Sequence, residues 1–189
     1  VGGDNEVTPG VSSNVEEYNG TSWAAETALP AGRGNMATFG TPTSAVIAGG
    51  NLGPGTPNRT ATALEYDGSA WTTTGSMTAA ATVLAGAGTQ TNGLTFGGYN
   101  PTPAATGISN TYDGSTFTAS ETMTTARGGL GSTGNAANAF AIGGNPPVSS
   151  TVEEYNFTAN TIVAGAWASA TSMSTARRGG AAMGTRDAQ

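Results

Sequence analysis

The hexapeptide YNGTSW at 18–23 returns as YDGSAW at 66–71 and YDGSTF at 112–117. Self-similarity at a fixed spacing constrains a fold more than composition does, because each copy must build the same local structure and bury the same face on its neighbours. Gly-Gly pairs begin at Gly2, Gly49, Gly97 and Gly143, in steps of 47, 48 and 46. Tyr18, Tyr66, Tyr112 and Tyr155 step by 48, 46 and 43, and Trp23, Trp71, Phe117 and Trp167 by 48, 46 and 50. Six residues past each aromatic stands Leu29, Met77, Met123 or Met173, and four further on Arg33, Ala81, Arg127 or Arg177. The fourth unit departs, with 12 positions between Tyr155 and Trp167 against 5 elsewhere, which predicts a longer hairpin there.

Each unit reads as four short strands. The first is Gly/Ala-rich, as in TVLAGAGTQ at 82–90 and GGLGSTG at 128–134. The second is a short apolar run ending in the glycines, as in SAVIAGG, NGLTFGG and NAFAIGG. The third alternates into the tyrosine (NVEEY, TALEY), and the fourth begins at the large aromatic. Between third and fourth lies Asn19-Gly20, Asp67-Gly68 or Asp113-Gly114, the signature of a two-residue type I′ hairpin in which both residues take positive φ. The ring on each arm supplies the apolar area by which one small sheet packs on the next. No capped helical pattern appears.

A period of about 47 with four strands per unit is the pattern of a β-propeller blade. The order Gly-Gly, Tyr, large aromatic, Met-x-x-x-Arg resembles the kelch repeat along the whole chain. SMTAAATVLAGAGTQTNGLTFGGYN, TMTTARGGLGSTGNAANAFAIGGN and SMSTARRGG carry the resemblance best. Two departures are visible: the kelch turn after the tyrosine is usually longer, and LPAGR has no Met. The resemblance implies an all-β β-propeller of about four kelch-like four-stranded blades in one domain, 1–189. The repeats fall at approximately 1–35, 36–81, 82–127 and 128–177, with 178–189 starting the closing blade. Gly49, Gly50, Tyr66, Trp71, Gly97, Gly98, Tyr112, Phe117, Gly143, Gly144, Tyr155 and Trp167 are its structural positions. From Arg177 the next Gly-Gly falls due at 193, so a head-to-tail join is two residues short. A closed four-blade ring and a part of a larger propeller both stay open.

Composition removes most chemistry. The chain has no Cys and no His, which excludes thiolate and imidazole metal sites, Cys nucleophiles and a Ser-His-Asp triad. Its six basic residues are all Arg against 12 acidic ones, and a net charge of -6 repels nucleic acid. No apolar run approaches the ~18 residues of a membrane helix. Kelch-type copper oxidases use His and a Cys-linked tyrosine, which this chain cannot supply. No catalytic residue, metal site or cofactor is therefore assigned, and no nucleic-acid or membrane-inserting role. GxGxxG at Gly129, Gly131 and Gly134 reads as a Gly-rich inner strand, and Glu16-Glu17 and Glu153-Glu154 as surface charge.

Variable loops on a repeated scaffold are the usual seat of recognition. LGPGTPNRT at 52–60, YNPTPAATG at 99–107 and NPPVSS at 145–150 are expected on one face. Tyr99, outside the repeated tyrosine position, is a candidate sugar-stacking platform. Arg33, Arg127 and Arg177 head the first strands; each either grips an anionic glycan or carboxylate at the mouth of the axis or bonds carbonyls of a neighbouring blade. Short-turn, Thr/Ala/Gly-rich arrays of this kind look like those in virion structural and tail-fibre proteins of aquatic tailed phages. That likeness implies a non-catalytic structural or adhesive module on a virion or extracellular surface. Its expected partners are other virion or surface subunits, a host surface glycan and further copies in a larger assembly. The alternative is a carbohydrate-binding lectin domain of a bacterial surface protein.

Overall fold

The computed structural model describes residues 1–5, 10–54, 58–102, 104–157 and 166–170, with 4–5 and 166–170 as backbone alone. Every regular element among the described residues is a β-strand, and every pairing is antiparallel. A ribbon of β1 (Asp4–Asn5) and β2 (Gly10–Val11) precedes a hairpin of β3 (Val15–Tyr18) and β4 (Trp23–Glu26). Three four-stranded meanders follow, each in chain order. The first sheet is β5 (Ala37–Thr41), β6 (Ser44–Ala48), β7 (Ala63–Tyr66) and β8 (Trp71–Thr74). The second is β9 (Ala85–Thr89), β10 (Asn92–Phe96), β11 (Ser109–Tyr112) and β12 (Phe117–Ser120). The third is β13 (Gly131–Gly134), β14 (Asn138–Ile142), β15 (Val152–Asn156) and β16 (Ala166–Ala170).

The repeated aromatics face each other across the last strand pair, Tyr18 opposite Trp23, Tyr66 opposite Trp71 and Tyr112 opposite Phe117. Their centroids lie 4.9 Å apart in the first sheet and 4.4 Å in the second, within the range where ring pairs attract beyond their buried area. The connection between them differs from the two-residue turn that Asn-Gly and Asp-Gly predict. With Tyr66 paired to Trp71 the loop is Asp67 to Ala70, four residues, and only the glycine has positive φ (92° at Gly68). The aspartate decides this: Asp67 Oδ1 accepts the amides of Ser69 and Ala70, each at 2.8 Å, and Asp113 does the same for Ser115 and Thr116. A carboxylate capping two main-chain donors stabilises the longer loop over the type I′ form.

Consecutive sheets pack face to face, with β5 against β9 and β9 against β13. Alternation along a strand sends successive side chains to opposite neighbours. In β7, Leu64 and Tyr66 join Val15 and Leu29 of the hairpin side, whereas Ala63 packs with Tyr112 and Phe117 of the second sheet. Leu94, Phe96 and Tyr155 fill the interval between second and third sheets. The core among the described residues is thus a series of thin apolar layers, one per junction, and the first and second sheets each serve two of them.

At the end of each second strand the Gly-Gly pair lets the next connection come close. Gly50 has φ 93°, and its amide donates to Ala81 O at 2.8 Å; a Cβ there would sit 2.6 Å from Gly34 O. Gly98 repeats the bond to Arg127 O at 2.8 Å, and Gly3 to Arg33 O at 2.9 Å.

Candidate functional site

The repeated tyrosines end in the same place at every junction. Each hydroxyl meets the last residue of the preceding sheet's outer strand: Tyr66 and Glu26 Oε2 at 3.4 Å, Tyr112 and Thr74 Oγ1 at 2.6 Å, Tyr155 and Ser120 Oγ at 2.7 Å. Tyr112 also donates to Glu65 Oε1 at 2.6 Å, so its single proton is committed there and Thr74 is the donor in the other bond. Burial and the Glu65 carboxylate push the Tyr112 phenol up to about 12. Burial likewise raises Tyr155 and Tyr66, the latter helped by Glu26.

Of the two roles open to the arginines, Arg33 and Arg127 take the one inside the framework. Both are buried. Arg33 Nη1 donates to Thr62 O at 2.8 Å and Gly49 O at 3.3 Å, and Nη2 to Thr62 Oγ1 at 2.8 Å. Arg127 Nη1 donates to the equivalent carbonyls, Gly143 O and Thr151 O, and Nη2 pairs with Glu153 Oε1 at 2.7 Å. Each guanidinium therefore ties the base of the loop between second and third strands of the sheet it leads into. Burial pulls the Arg33 pKa below its ordinary value. Glu153, read from the sequence as surface charge, is 1% exposed; it accepts the Thr124 amide at 2.7 Å and pairs with Arg127. Arg177 and the side chain of Trp167 lie outside the described residues.

Tyr99 also makes framework contacts. It occupies the position of Asn51 and Asn145, directly after Gly-Gly, where an isolated bridge joins it to Thr82 just as Asn51 joins Gly34 and Asn145 joins Gly128. Its ring lies over Gly128, whose Cβ would be 2.4 Å from Tyr99 Cε2. Its hydroxyl donates to Asn145 O at 3.0 Å and touches Oδ1. Tyr99 braces two sheets and its face is covered on one side.

Sequence reasoning missed one set of contacts altogether. At two junctions the residue after the Met meets the residue two before the next tyrosine. Thr78 donates its amide and hydroxyl to Asn110 Oδ1 at 3.1 and 2.6 Å, and Thr124 its amide to Glu153. At the first junction the corresponding positions in the sequence hold Pro30, which has no N–H, and Leu64, whose side chain has no acceptor. The signal was the joint variation of these two positions among the units.

What the framework leaves unused lies in two places. The loops 52–60, 99–107 and 145–150 leave the Gly-Gly ends of the sheets, differ from one another in every residue type that matters for recognition, and are largely exposed or half-buried where described. A groove of about 720 Å³ opens between the hairpin and the first strands of the sheets, lined by Glu17, Tyr18 and Trp23 of the hairpin and by Phe39, Gly86 and Ser132 of the first strands. Beside it β3 pairs, among the described residues, only with β4, and Tyr18 and Trp23 are 50% and 68% exposed, whereas their counterparts Tyr66 and Trp71 are 4% and 8%.

No protein-family model and no curated protein matches the chain. Among solved structures 135 chains match. One, described as the structure of YjhT, superposes on 94% of this chain with a TM-score of 0.70 at 12% identity, and this chain spans 65% of its length. At that identity the likeness concerns the fold alone.

Proposed function

We propose that the chain is a non-catalytic structural and adhesive module, its sheets forming kelch-like blades of a β-propeller and its Gly-Gly-end loops forming the binding surface. The observation that carries this reading is the use of the repeated polar residues. The tyrosine hydroxyls, Arg33, Arg127, Glu153 and Asn110 are all engaged in holding sheet to sheet or loop to sheet. A scaffold whose polar groups are committed internally offers recognition mainly through residues that do not repeat, and these sit in the loops. The partner surface fits an extracellular or virion setting, where the module contacts other surface subunits or a host glycan. In the carbohydrate-binding form of the reading the sugar meets the loop residues beyond Tyr99 and Asn145, not Tyr99 or the buried arginines.

The test is a loop exchange. Residues 100–104 and 146–148 are replaced by short Gly/Ser/Asn connections that keep Tyr99 and Asn145, and binding to a glycan array and to intact bacterial cells is compared with the parent. Loss of binding with the melting temperature unchanged supports the reading. Undiminished binding, or turnover of a substrate by the parent, overturns it.

A further inference from the structure

Beyond the loops and the groove, one framework position stands vacant. Arg33 and Arg127 lie shortly before the first strands of their sheets, and each sends Nη1 to two carbonyls, those of the first Gly-Gly residue and of the residue four before the tyrosine. In the second sheet that position holds Ala81, and the corresponding carbonyls belong to Gly97 and Ile108. A cavity of about 20 Å³ remains there, bounded by Ala81, Gly97, Ile108 and Asn110 and, toward loop 99–107, by the half-buried Asn100 and Thr106. Its volume exceeds the ~10–15 Å³ that one water needs.

The polar groups left around this space are specific. Gly97 O is buried and accepts no hydrogen bond among the described residues, although its equivalents Gly49 O and Gly143 O each accept from an arginine. Asn110 stands where the third sheet has Glu153, and it is 3% exposed. Its Oδ1 accepts the Thr78 amide and hydroxyl; because a main-chain N–H only donates, the other arm is the Nδ2 donor. Among the described residues Nδ2 has no partner, and the cavity is the open space that Asn110 borders. A buried donor and a buried acceptor with nothing to meet them both cost free energy, and one small polar group placed between them removes both costs.

We propose that the Ala81 cavity binds a primary carboxamide. In the Arg127 site Nη1 supplies both carbonyls, Nη2 meets Glu153, and Nε meets nothing. The second sheet keeps the two carbonyls, so the first atom stays an NH₂ nitrogen. It replaces the carboxylate by a donor, Asn110 Nδ2, so the second atom becomes an acceptor oxygen. The third arm needs no hydrogen-bonding atom, and carbon serves there. A planar centre bearing NH₂, O and carbon is a carboxamide. A guanidinium would set N–H against Nδ2, and a carboxylate offers nothing to the carbonyls. The asparagine or glutamine side chain of a partner and a small free amide share this chemistry, the remainder of either trailing past Asn100 and Thr106. The site does not depend on what the loop tips bind.

Acetamide is titrated into the intact, isotope-labelled chain, with acetate and methylguanidinium as controls, and the NMR signals of Gly97, Thr78 and the Asn110 side-chain amide are followed. Acetamide is expected to shift them saturably in the millimolar range, as so small a ligand allows, and each control to bind roughly tenfold or more weakly. Acetyl-glutamine methylamide separates the sources: tighter binding than acetamide assigns the site to a side chain of a protein partner, weaker binding to a free small amide. Asn110→Asp keeps an oxygen for Thr78 and exchanges the donor for an acceptor, so the preference should pass to methylguanidinium by roughly tenfold. Ala81→Leu fills the space without altering Asn110, serves if Asn110→Asp disturbs folding, and should abolish acetamide binding. Signals unmoved by a large excess of acetamide, with water alone in the cavity, overturn the proposal. An Asn110→Asp chain that keeps the amide preference overturns it too, as does an Ala81→Leu chain that still binds acetamide.

Discussion

Tyr112 donates its hydroxyl proton to Glu65 Oε1 at 2.6 Å across the junction between first and second sheets. The bond makes a polar pin in an otherwise apolar layer containing Phe39, Val46 and Phe117. Tyr112→Phe leaves the carboxylate without its donor and is expected to cost about 1.5–3 kcal/mol, the usual worth of a hydrogen bond to a charged group. Urea unfolding at neutral pH measures it.

The same bond sets an alkaline limit. The folded-state Tyr112 pKa is raised from 10.0 to about 12, so the native state holds the proton more tightly than the unfolded chain. The contribution is complete below about pH 10 and is lost as pH rises from 10 toward 12. Denaturant midpoints of parent and Tyr112→Phe should therefore converge over that window; parallel curves through it would exclude the assignment.

At the acid end the turn aspartate acts in the opposite sense. Hydrogen bonds from Thr116 and then Ser115 hold Asp113 down to about 2, below its ordinary 3.8. Its contribution is present above about 3.8 and disappears as pH falls through 2. Melting curves of the parent and Asp113→Ala should differ above pH 5 and draw together toward pH 2.

Burial separates two chemically equal tryptophans. Trp71→Ala opens a space in the layer shared with Val15, Leu29 and Leu64 and is expected to cost ~3–5 kcal/mol. Trp23→Ala, at a site 68% exposed, is expected to cost under ~0.5 kcal/mol in dilute, unassociated chains. Equal losses at the two sites would contradict the layered packing.

Strand positions, the aromatic pairs and the Gly-Gly approach were all legible, because each rests on a local rule: alternation, cross-strand pairing, or the room a missing Cβ leaves. The hairpin turn was misread because dipeptide preference ignores the Asp67 side chain, which caps two amides of its own loop. Glu153 was misread because a strand pattern gives the face a residue points to, not what the next sheet puts there. Tyr99 looked exceptional only by residue type; its backbone position repeats. Of the candidate binding residues, the sequence placed the loops by their irregularity and had no means to separate Arg33 and Arg127 from a surface role, since the carbonyls they bind come from residues 16 to 29 positions away.

The Arg127–Glu153 pair offers a cycle test. Removing the arginine alone strands a buried carboxylate, and Arg127→Ala is expected to cost about 3–5 kcal/mol. Arg127→Met with Glu153→Leu should recover most of that loss, as Leu64, which likewise stands two before its tyrosine, fills the corresponding place in an apolar layer. A double variant no better than the single one would refute that equivalence.

The three junction chemistries also assign each copy its place in the line. Excision of 82–127 by recombination would bring Tyr155 to Thr74, a hydroxyl seat as good as Ser120, yet set Glu153 opposite Ala81, where no guanidinium awaits it. Units of this gene cannot be shuffled or dropped freely, however alike they look: inheritance of a changed order requires that both members of a junction change together.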